Sequence, residues 1–259
     1  MEEIKRMHFP VTIRLGEATL SPHILLELLA FIVGYRYYLF LKKRTQDAIH
    51  AENRIWILAG AAGGAFIFSR LLGALENPAS WIGSAHPFLQ AFNNRTIVGG
   101  LLGGLFGVEL VKKLIGEKNS SGDLFTYPII LAMIIGRVGC FLGGIEDNTF
   151  GVETNVPWAI DLGDGLYRHP TNLYEILFLA ALWVVLVQVE KKYELRSGSR
   201  FKLFMVSYLG FRLLIDFIKP YPVFVAGLSS IQLACLAGLI YYYRVFSIPQ
   251  YLLNKPTHA

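Results

Sequence analysis

The chain has 259 residues and a formal net charge of +5; 54% of its residues are hydrophobic and only 17% are charged. An average soluble domain has about 25% charged residues, so the composition argues against an ordinary soluble protein and predicts an integral membrane protein. This length leaves no room for a separate soluble domain. We therefore predict a single transmembrane bundle domain over residues 1–259.

Seven apolar segments are long enough to cross about 30 Å of hydrocarbon as helices. The predicted spans are His23–Leu41, Ile55–Leu75, Ile97–Ile115, Leu124–Ile145, Asn172–Val189, Phe201–Ile218 and Val223–Tyr243. The predicted fold class is therefore an all-α integral membrane protein with seven transmembrane helices. Ahead of the first span, residues 1–20 alternate weakly, which predicts a strand pair or an interfacial segment with a turn at Gly16.

The distribution of basic residues predicts the orientation of these spans. Of the 24 Lys and Arg residues, fourteen lie in alternate connections and only six in the others. By the positive-inside rule, the N-terminus is outside and the C-terminus is cytoplasmic. The basic balance is thus a topology signal, and no nucleic acid is expected as a partner.

The connection of residues 146–169 is the longest on the predicted outer side. Val156–Ile160 and Leu166–His169 flank a glycine-bearing turn, a pattern that predicts a small extracytoplasmic hairpin. Inside the membrane, glycines recur every four residues in the third span and allow close helix packing. These rows are Gly99, Gly103 and Gly107, and Gly100 and Gly104.

Three arginines, Arg70, Arg137 and Arg212, lie in the outer ends of predicted spans. Each would cost several kcal/mol if it were isolated in the bilayer. Guanidinium groups bind phosphate through paired, charge-assisted hydrogen bonds, so we predict an anion site for a phospholipid headgroup. For any one arginine, the alternative is a pair with a carboxylate, such as Arg212 with Asp216. No spacing typical of a metal or cofactor site is present, so none is predicted.

Other polar groups share this predicted depth. His23 and Glu27 are four residues apart and lie on one helix face, and Glu175 lies just inside the fifth span. At about 100° per residue, Arg137 and Cys140 face the same way.

Three sequence motifs occur in order along the spans. They are Gly136-Arg137-Val138-Gly139-Cys140-Phe141, Arg168-His169-Pro170-Thr171-Asn172-Leu173-Tyr174-Glu175, and Phe211-Arg212-Leu213-Leu214-Ile215-Asp216-Phe217-Ile218-Lys219. Together they resemble the bacterial prolipoprotein diacylglyceryl transferase family. His8-Phe9-Pro10 and the glycines from Gly99 onward fit as well, so the resemblance runs from about His8 to Tyr243.

The resemblance implies an enzyme of the bacterial plasma (inner) membrane. It would move a diacylglyceryl group from phosphatidylglycerol to the lipobox cysteine of a prolipoprotein signal peptide and release glycerol phosphate. The surrounding membrane lipids would be further partners. The two motif arginines would hold the phosphate and stabilise the leaving group. The expected catalytic residues are Arg137, Arg212, His23 and Glu175. The expected headgroup-binding residues are Arg137, Arg70, Arg212, Asp216, Gly144 and Gly151.

The chain departs from the family where the acceptor thiol is handled. The family has a histidine at the position of Val98, an asparagine at the position of Cys140 and an aromatic pair where Pro22-His23 opens the first span. The thiol must be deprotonated to attack carbon. His23, Glu175 and His169 all remain candidates for the proton acceptor.

Two further hypotheses stay open. A divergent paralogue could bind phospholipid headgroups without this activity, or use another acceptor. A small transporter is less well supported, because the chain has no inner polar cluster or inverted repeat to match the outer one.

Overall fold

The computed structural model describes residues 8–15, 18–45, 47–76, 78–220 and 222–254. The turn predicted at Gly16 lies outside these residues. The α-helices are α1 (Pro22–Arg44), α2 (Ala51–Glu76), α3 (Pro87–Asn93), α4 (Ile97–Ile115), α5 (Asp123–Gly143), α6 (Thr171–Lys192), α7 (Ser199–Ile215), α8 (Ser230–Tyr241) and α9 (Tyr243–Ser247). The strands are β1 (Ile13–Leu15), β2 (Ala18–Leu20), β3 (Ile160–Asp161) and β4 (Tyr167–Arg168), and 3₁₀ segments lie at Pro78–Ser80, Gly144–Asp147, Asp216–Ile218 and Pro249–Leu252.

Among the described residues, four helical segments are long and apolar enough to cross a membrane. They are Pro22–Arg44, Ala51–Glu76, Asp123–Asp147 and Thr171–Lys192. The chain is a helical membrane protein. The other predicted spans fall on α4, which carries Glu109, Lys112 and Lys113, on α7 with 17 residues, and on α8 with 12 residues.

The last predicted span begins later than its apolar pattern suggests. Helix α8 starts at Ser230, whereas the prediction placed the start at Val223. Ala226 and Gly227 have positive φ angles of 52° and 75°, which reverse the chain before the helix. Ser229 then caps α8, because its side chain accepts from the Gln232 backbone and the Gln232 side chain accepts from the Ser229 backbone. This turn and capping box make the N-terminal part of the predicted span non-helical.

The structure divides into two compact units. The first comprises the described residues of Met1–Thr45, Leu124–Tyr193 and Ile218–Pro220, and the second those of Gln46–Asp123, Glu194–Phe217 and Tyr221–Ala259.

In the first unit, α1 and α6 both contact α5. Tyr38 of α1 stacks on Phe125 of α5 with ring centroids 4.6 Å apart. Trp183 of α6 packs on Tyr127 at 5.0 Å, and the Tyr127 hydroxyl donates to Glu190 at 2.8 Å. Aromatic contacts therefore align the three helices that carry the polar residues of this unit.

Two antiparallel strand pairs lie outside the long helices of the first unit. Strand β1 pairs with β2, which confirms the strand pair predicted near the N-terminus. Strand β3 pairs with β4, which confirms the predicted hairpin, although its strands are only two residues long. In the hairpin turn, the Asp161 carboxylate accepts from the backbone N–H groups of Gly163 and Gly165 at 2.9 and 3.0 Å.

In the second unit, glycines bring α2 and α4 into backbone contact. A Cβ at Gly60 would lie 2.8 Å from the Gly107 carbonyl oxygen, and Gly64 packs against Gly103 in the same way. The other row, Gly100 and Gly104, makes only van der Waals contacts of ordinary length, since the nearest atom would lie 3.5 Å from a Cβ at Gly104. The predicted close packing is thus confirmed for the row that includes Gly103 and Gly107.

Candidate functional site

Arg137 forms a buried ion pair in the first unit. Its Nε atom lies 2.9 Å from Oε1 of Glu175, and the two side chains are 6% and 3% exposed. Arg137 lies in the last two turns of α5, and Glu175 lies in the second turn of α6. The start of α6 is fixed because the Thr171 hydroxyl donates to the Thr149 carbonyl at 2.8 Å. The structure therefore joins two of the predicted catalytic residues directly.

Cys140 lies one turn beyond Arg137 on the same face of α5. The Nη1 atom of Arg137 lies 3.8 Å from the Cys140 sulfur, which confirms that the two side chains face the same way. Cys140 is a buried free thiol.

His23, at the start of α1, contacts two carboxylates. Its Nδ1 atom lies 2.7 Å from Oδ1 of Asp147, and its Nε2 atom lies 3.7 Å from Oε2 of Glu27. Asp147 is held in turn by the Thr149 hydroxyl, which donates to Oδ2 at 2.6 Å. The imidazole is 28% exposed and can therefore be reached from outside the fold.

His23, Cys140 and Asp147 form a cluster in which the three candidate donor atoms all lie within 4.8 Å of one another. Sequence reasoning missed Asp147, because α5 gives way to a 3₁₀ segment at Gly144 and helical spacing no longer predicts direction beyond that point. The only available signal was an acidic residue shortly after the Gly-Arg motif.

Gly144 and Gly151 both sit where backbone segments pack closely. Gly144 has φ +60°, and a Cβ there would lie 2.5 Å from the Leu162 carbonyl oxygen. A Cβ at Gly151 would lie 2.8 Å from the His169 carbonyl oxygen. The structure thus gives both glycines a packing role, and their part in headgroup binding stays a prediction.

The Arg168-His169 pair is held by neighbouring side chains. The Arg168 guanidinium donates to Asp164 at 2.9 and 2.6 Å, and these hydrogen bonds hold the pKa of the Asp164 carboxyl below its ordinary value. His169 Nδ1 lies 3.1 Å from the Tyr174 hydroxyl, which also accepts from the Trp158 indole at 2.6 Å. These contacts tie the hairpin to the start of α6.

In the second unit, Arg212 lies near Asp216. Nη2 of Arg212 is 3.6 Å from Oδ1 of Asp216, and both side chains are buried, which confirms the carboxylate pair considered for this arginine. The Ser229 hydroxyl donates to the same carboxylate. Gln232 of α8 donates to the Leu213 carbonyl at 3.1 Å, so α7 and α8 are joined at this level.

Arg70, also in the second unit, is surrounded by aromatic rings. Its guanidinium lies over Phe66 at 3.9 Å and over Phe92 of α3 at 4.4 Å. Such stacking stabilises a partly desolvated cation. Each of the three predicted arginines therefore has its own local partners.

Val98, where the resembled family has histidine, is 1% exposed and belongs to the core.

These features define a helical membrane protein with buried guanidinium–carboxylate pairs in the Gly-Arg and Arg-His-Pro motifs and in α7. The family model described as prolipoprotein diacylglyceryl transferase matches residues 10–247, and the chain belongs to that family. This match confirms the family predicted from the motifs.

Three relatives share the same name, phosphatidylglycerol–prolipoprotein diacylglyceryl transferase. The one from Geobacter sulfurreducens is 28% identical, with the similarity covering 95% of this chain and 92% of the relative. The one from Trichormus variabilis is 27% identical over 89% of this chain and 86% of the relative. The one from Staphylococcus aureus is 28% identical over 89% of this chain and 84% of the relative.

Proposed function

We propose that this chain transfers a diacylglyceryl group from phosphatidylglycerol to the lipobox cysteine of prolipoproteins. The observation that carries the proposal is the buried Arg137–Glu175 pair, which joins the two most distinctive motifs of the family. The names of the relatives support the same donor and acceptor. In this reaction the acceptor sulfur forms a C–S bond to the glyceryl carbon, the C–O bond to phosphate breaks, and glycerol phosphate leaves with the electron pair.

The proposal places the chain in the bacterial plasma (inner) membrane as a single transmembrane domain of seven spans. The N-terminus and residues 146–169, including the β3–β4 hairpin, are outside, and the C-terminus is cytoplasmic. The supporting observation is the excess of Lys and Arg in alternate connections. This orientation puts Arg137 and Glu175 in the outer half of the bilayer, at the depth of phospholipid headgroups.

On the lipid side, Arg137 binds the phosphate and stabilises the charge that develops on the leaving group. Glu175 acts as a positioning residue, because its carboxylate fixes the orientation of the Arg137 guanidinium. In the second unit, Arg212 and Arg70 are proposed as headgroup-binding residues, with Asp216 positioning Arg212. Gly144 and Gly151 allow neighbouring backbone segments to pack closely beside the Gly-Arg and Arg-His-Pro motifs of the first unit.

On the acceptor side, the proposal places the acceptor thiol beside His23. The other two candidates have different partners: Glu175 is paired with Arg137, and His169 is hydrogen-bonded to the Tyr174 hydroxyl. His23 is more exposed than either residue of the Arg137–Glu175 pair and lies in the cluster that includes Cys140. An acceptor thiol that approaches His23 therefore comes close to the face of α5 that carries Arg137.

Complementation of a strain with a conditional transferase deletion tests the proposal. The wild-type chain should restore growth, and Arg137→Ala should not, since the phosphate loses its main ligand. Arg36→Gln is a matched control, because Arg36 is an exposed arginine on α1. Failure of the wild-type chain to restore growth or to transfer lipid in purified form would contradict the proposal.

The second candidate function is headgroup binding without transfer, or transfer to another acceptor. It is favoured by Val98 and Cys140, which replace a histidine and an asparagine of the family. Binding of phosphatidylglycerol vesicles by purified protein that does not complement would support this alternative.

A further inference from the structure

The His23–Cys140–Asp147 cluster has the composition of a metal site. One imidazole, one thiol and one carboxylate bring their donor atoms within 4.8 Å of one another. Donors bound to a single tetrahedral zinc at about 2.0–2.3 Å lie roughly 3–4 Å apart. The widest separation in the cluster must therefore shorten by about 1 Å, whereas the 2.7 Å contact between His23 Nδ1 and Asp147 Oδ1 must lengthen as zinc replaces that hydrogen bond. The three residues come from the start of α1, the end of α5 and the following 3₁₀ segment, so the fold itself brings them together.

The donor chemistry favours zinc over magnesium and calcium. Magnesium and calcium prefer oxygen ligands, whereas zinc binds mixtures of thiolate, imidazole and carboxylate. A thiolate and a carboxylate together carry two negative charges, which a divalent cation neutralises in this largely buried site. Catalytic zinc sites have three protein ligands and keep one position open. Three ligands are what this cluster offers.

Two neighbouring side chains contact the proposed ligands. The Thr149 hydroxyl donates to Oδ2 of Asp147 at 2.6 Å, which orients the carboxylate. Nη1 of Arg137 lies 3.8 Å from the Cys140 sulfur and helps to fix the direction of that side chain. Such outer contacts set ligand orientation and affinity in metal proteins.

We propose that His23, Cys140 and Asp147 bind a zinc ion whose fourth position takes the acceptor cysteine as a thiolate. The proposal rests on the transferase function proposed above. When the acceptor thiol binds, its proton passes to water, because a coordinating thiol is deprotonated. The bound sulfur then forms the C–S bond as the C–O bond to phosphate breaks, and the phosphate leaves beside Arg137.

Metal binding is tested on the purified full-length protein in detergent. After chelation, titration with Co²⁺ should saturate at a single equivalent and give a thiolate-to-cobalt charge-transfer band. Cys140→Ser should abolish that band, and His23→Gln should weaken binding at least about 100-fold. Thr149→Val should weaken it roughly 10–100-fold. Cys235→Ser is the matched control, because Cys235 is a buried free cysteine of α8 and should leave the titration unchanged.

A second measurement needs no variant. Zinc added to the chelated wild-type protein should protect Cys140 from alkylation, as read by mass spectrometry. The site would be overturned if alkylation were equal with and without zinc. In the cobalt titration, a charge-transfer band that survives in Cys140→Ser would have the same meaning.

Transfer assays separate this proposal from the function on which it rests. Chelated protein should lose transfer and regain it with zinc. Full transfer by metal-free protein would refute the zinc site and leave the transferase function standing. Stoichiometric zinc binding in a protein that never transfers lipid would leave the binding site standing and refute the transferase function.

Discussion

Nε of Arg137 lies 2.9 Å from Oε1 of Glu175, and both side chains are almost fully withdrawn from solvent. Breaking a buried ion pair by removing one of its members is strongly destabilising, so Glu175→Gln should destabilise the protein by roughly 3–5 kcal/mol. Thermal unfolding in detergent measures the loss. The double variant Arg137→Met/Glu175→Leu should recover most of it, since no charge is then buried. Equal stability of Glu175→Gln and wild type would show that the pair contributes little.

Arg137→Lys keeps the positive charge and removes the planar fork of donors. If Arg137 stabilises the departing phosphate, the transfer rate should fall about 10²–10³-fold, the usual cost of losing a preorganised donor. Rates are measured with phosphatidylglycerol vesicles and a lipobox peptide. Arg36→Lys, on the exposed face of α1, is the control and should retain the wild-type rate.

His23→Ala should abolish transfer and leave phosphatidylglycerol binding intact, because the Arg137–Glu175 contact does not involve His23. Vesicle binding and lipid transfer are followed on the same preparation. His86→Ala, an exposed histidine, controls for loss of an imidazole elsewhere. Wild-type transfer by His23→Ala would remove His23 from the acceptor side.

Gly60→Ala should weaken the α2–α4 contact. The added Cβ would lie 2.8 Å from the Gly107 carbonyl oxygen, so the helices must move apart. Overpacking of this kind costs typically 1–3 kcal/mol. Gly63→Ala is a matched control on the same helix, since among the described residues no atom outside the adjacent helix backbone lies within 4 Å of a Cβ there. The two variants should differ clearly in melting temperature, and identical melting would contradict the close packing.

Ser229→Ala removes both the cap of α8 and a donor to Asp216. Loss of an N-cap costs about 0.5–2 kcal/mol, and we expect the upper part of that range because Asp216 is buried beside Arg212. The neighbouring Ser230→Ala is the control, since the Ser230 hydroxyl has no hydrogen-bond partner among the described residues. Comparing the thermal unfolding of the Ser229→Ala and Ser230→Ala variants distinguishes loss of the cap from simple loss of a hydroxyl.

Local features were predictable because they depend on neighbours in the sequence. Spacing of three and four residues predicted the Arg137–Cys140 contact and the Arg212–Asp216 pair, and both are present. A glycine-bearing turn predicted the hairpin. Hydropathy also located the long helices, but it extended the last span to Val223, because apolar content alone does not reveal a chain reversal before Ser230.

The contacts that define the site depend on tertiary packing. Arg137 was predicted to lie in an anion site, but periodicity does not tell which distant helix packs against it, and in the structure Glu175 of α6 contacts its guanidinium. Asp147 was missed for a related reason, since its direction follows from the 3₁₀ segment after α5. Whether the described arginines bind a headgroup remains a prediction for the experiments above.

The Arg137–Glu175 contact also bears on how α5 and α6 enter the membrane during translation. Arg137 leaves the ribosome before Glu175, and at about 5–20 residues per second the delay is roughly 2–8 s. During this interval the Arg137 guanidinium of α5 has not yet met the Glu175 carboxylate. Full insertion of α5 is therefore expected to wait for α6, so that these two helices enter the bilayer as one unit during translation.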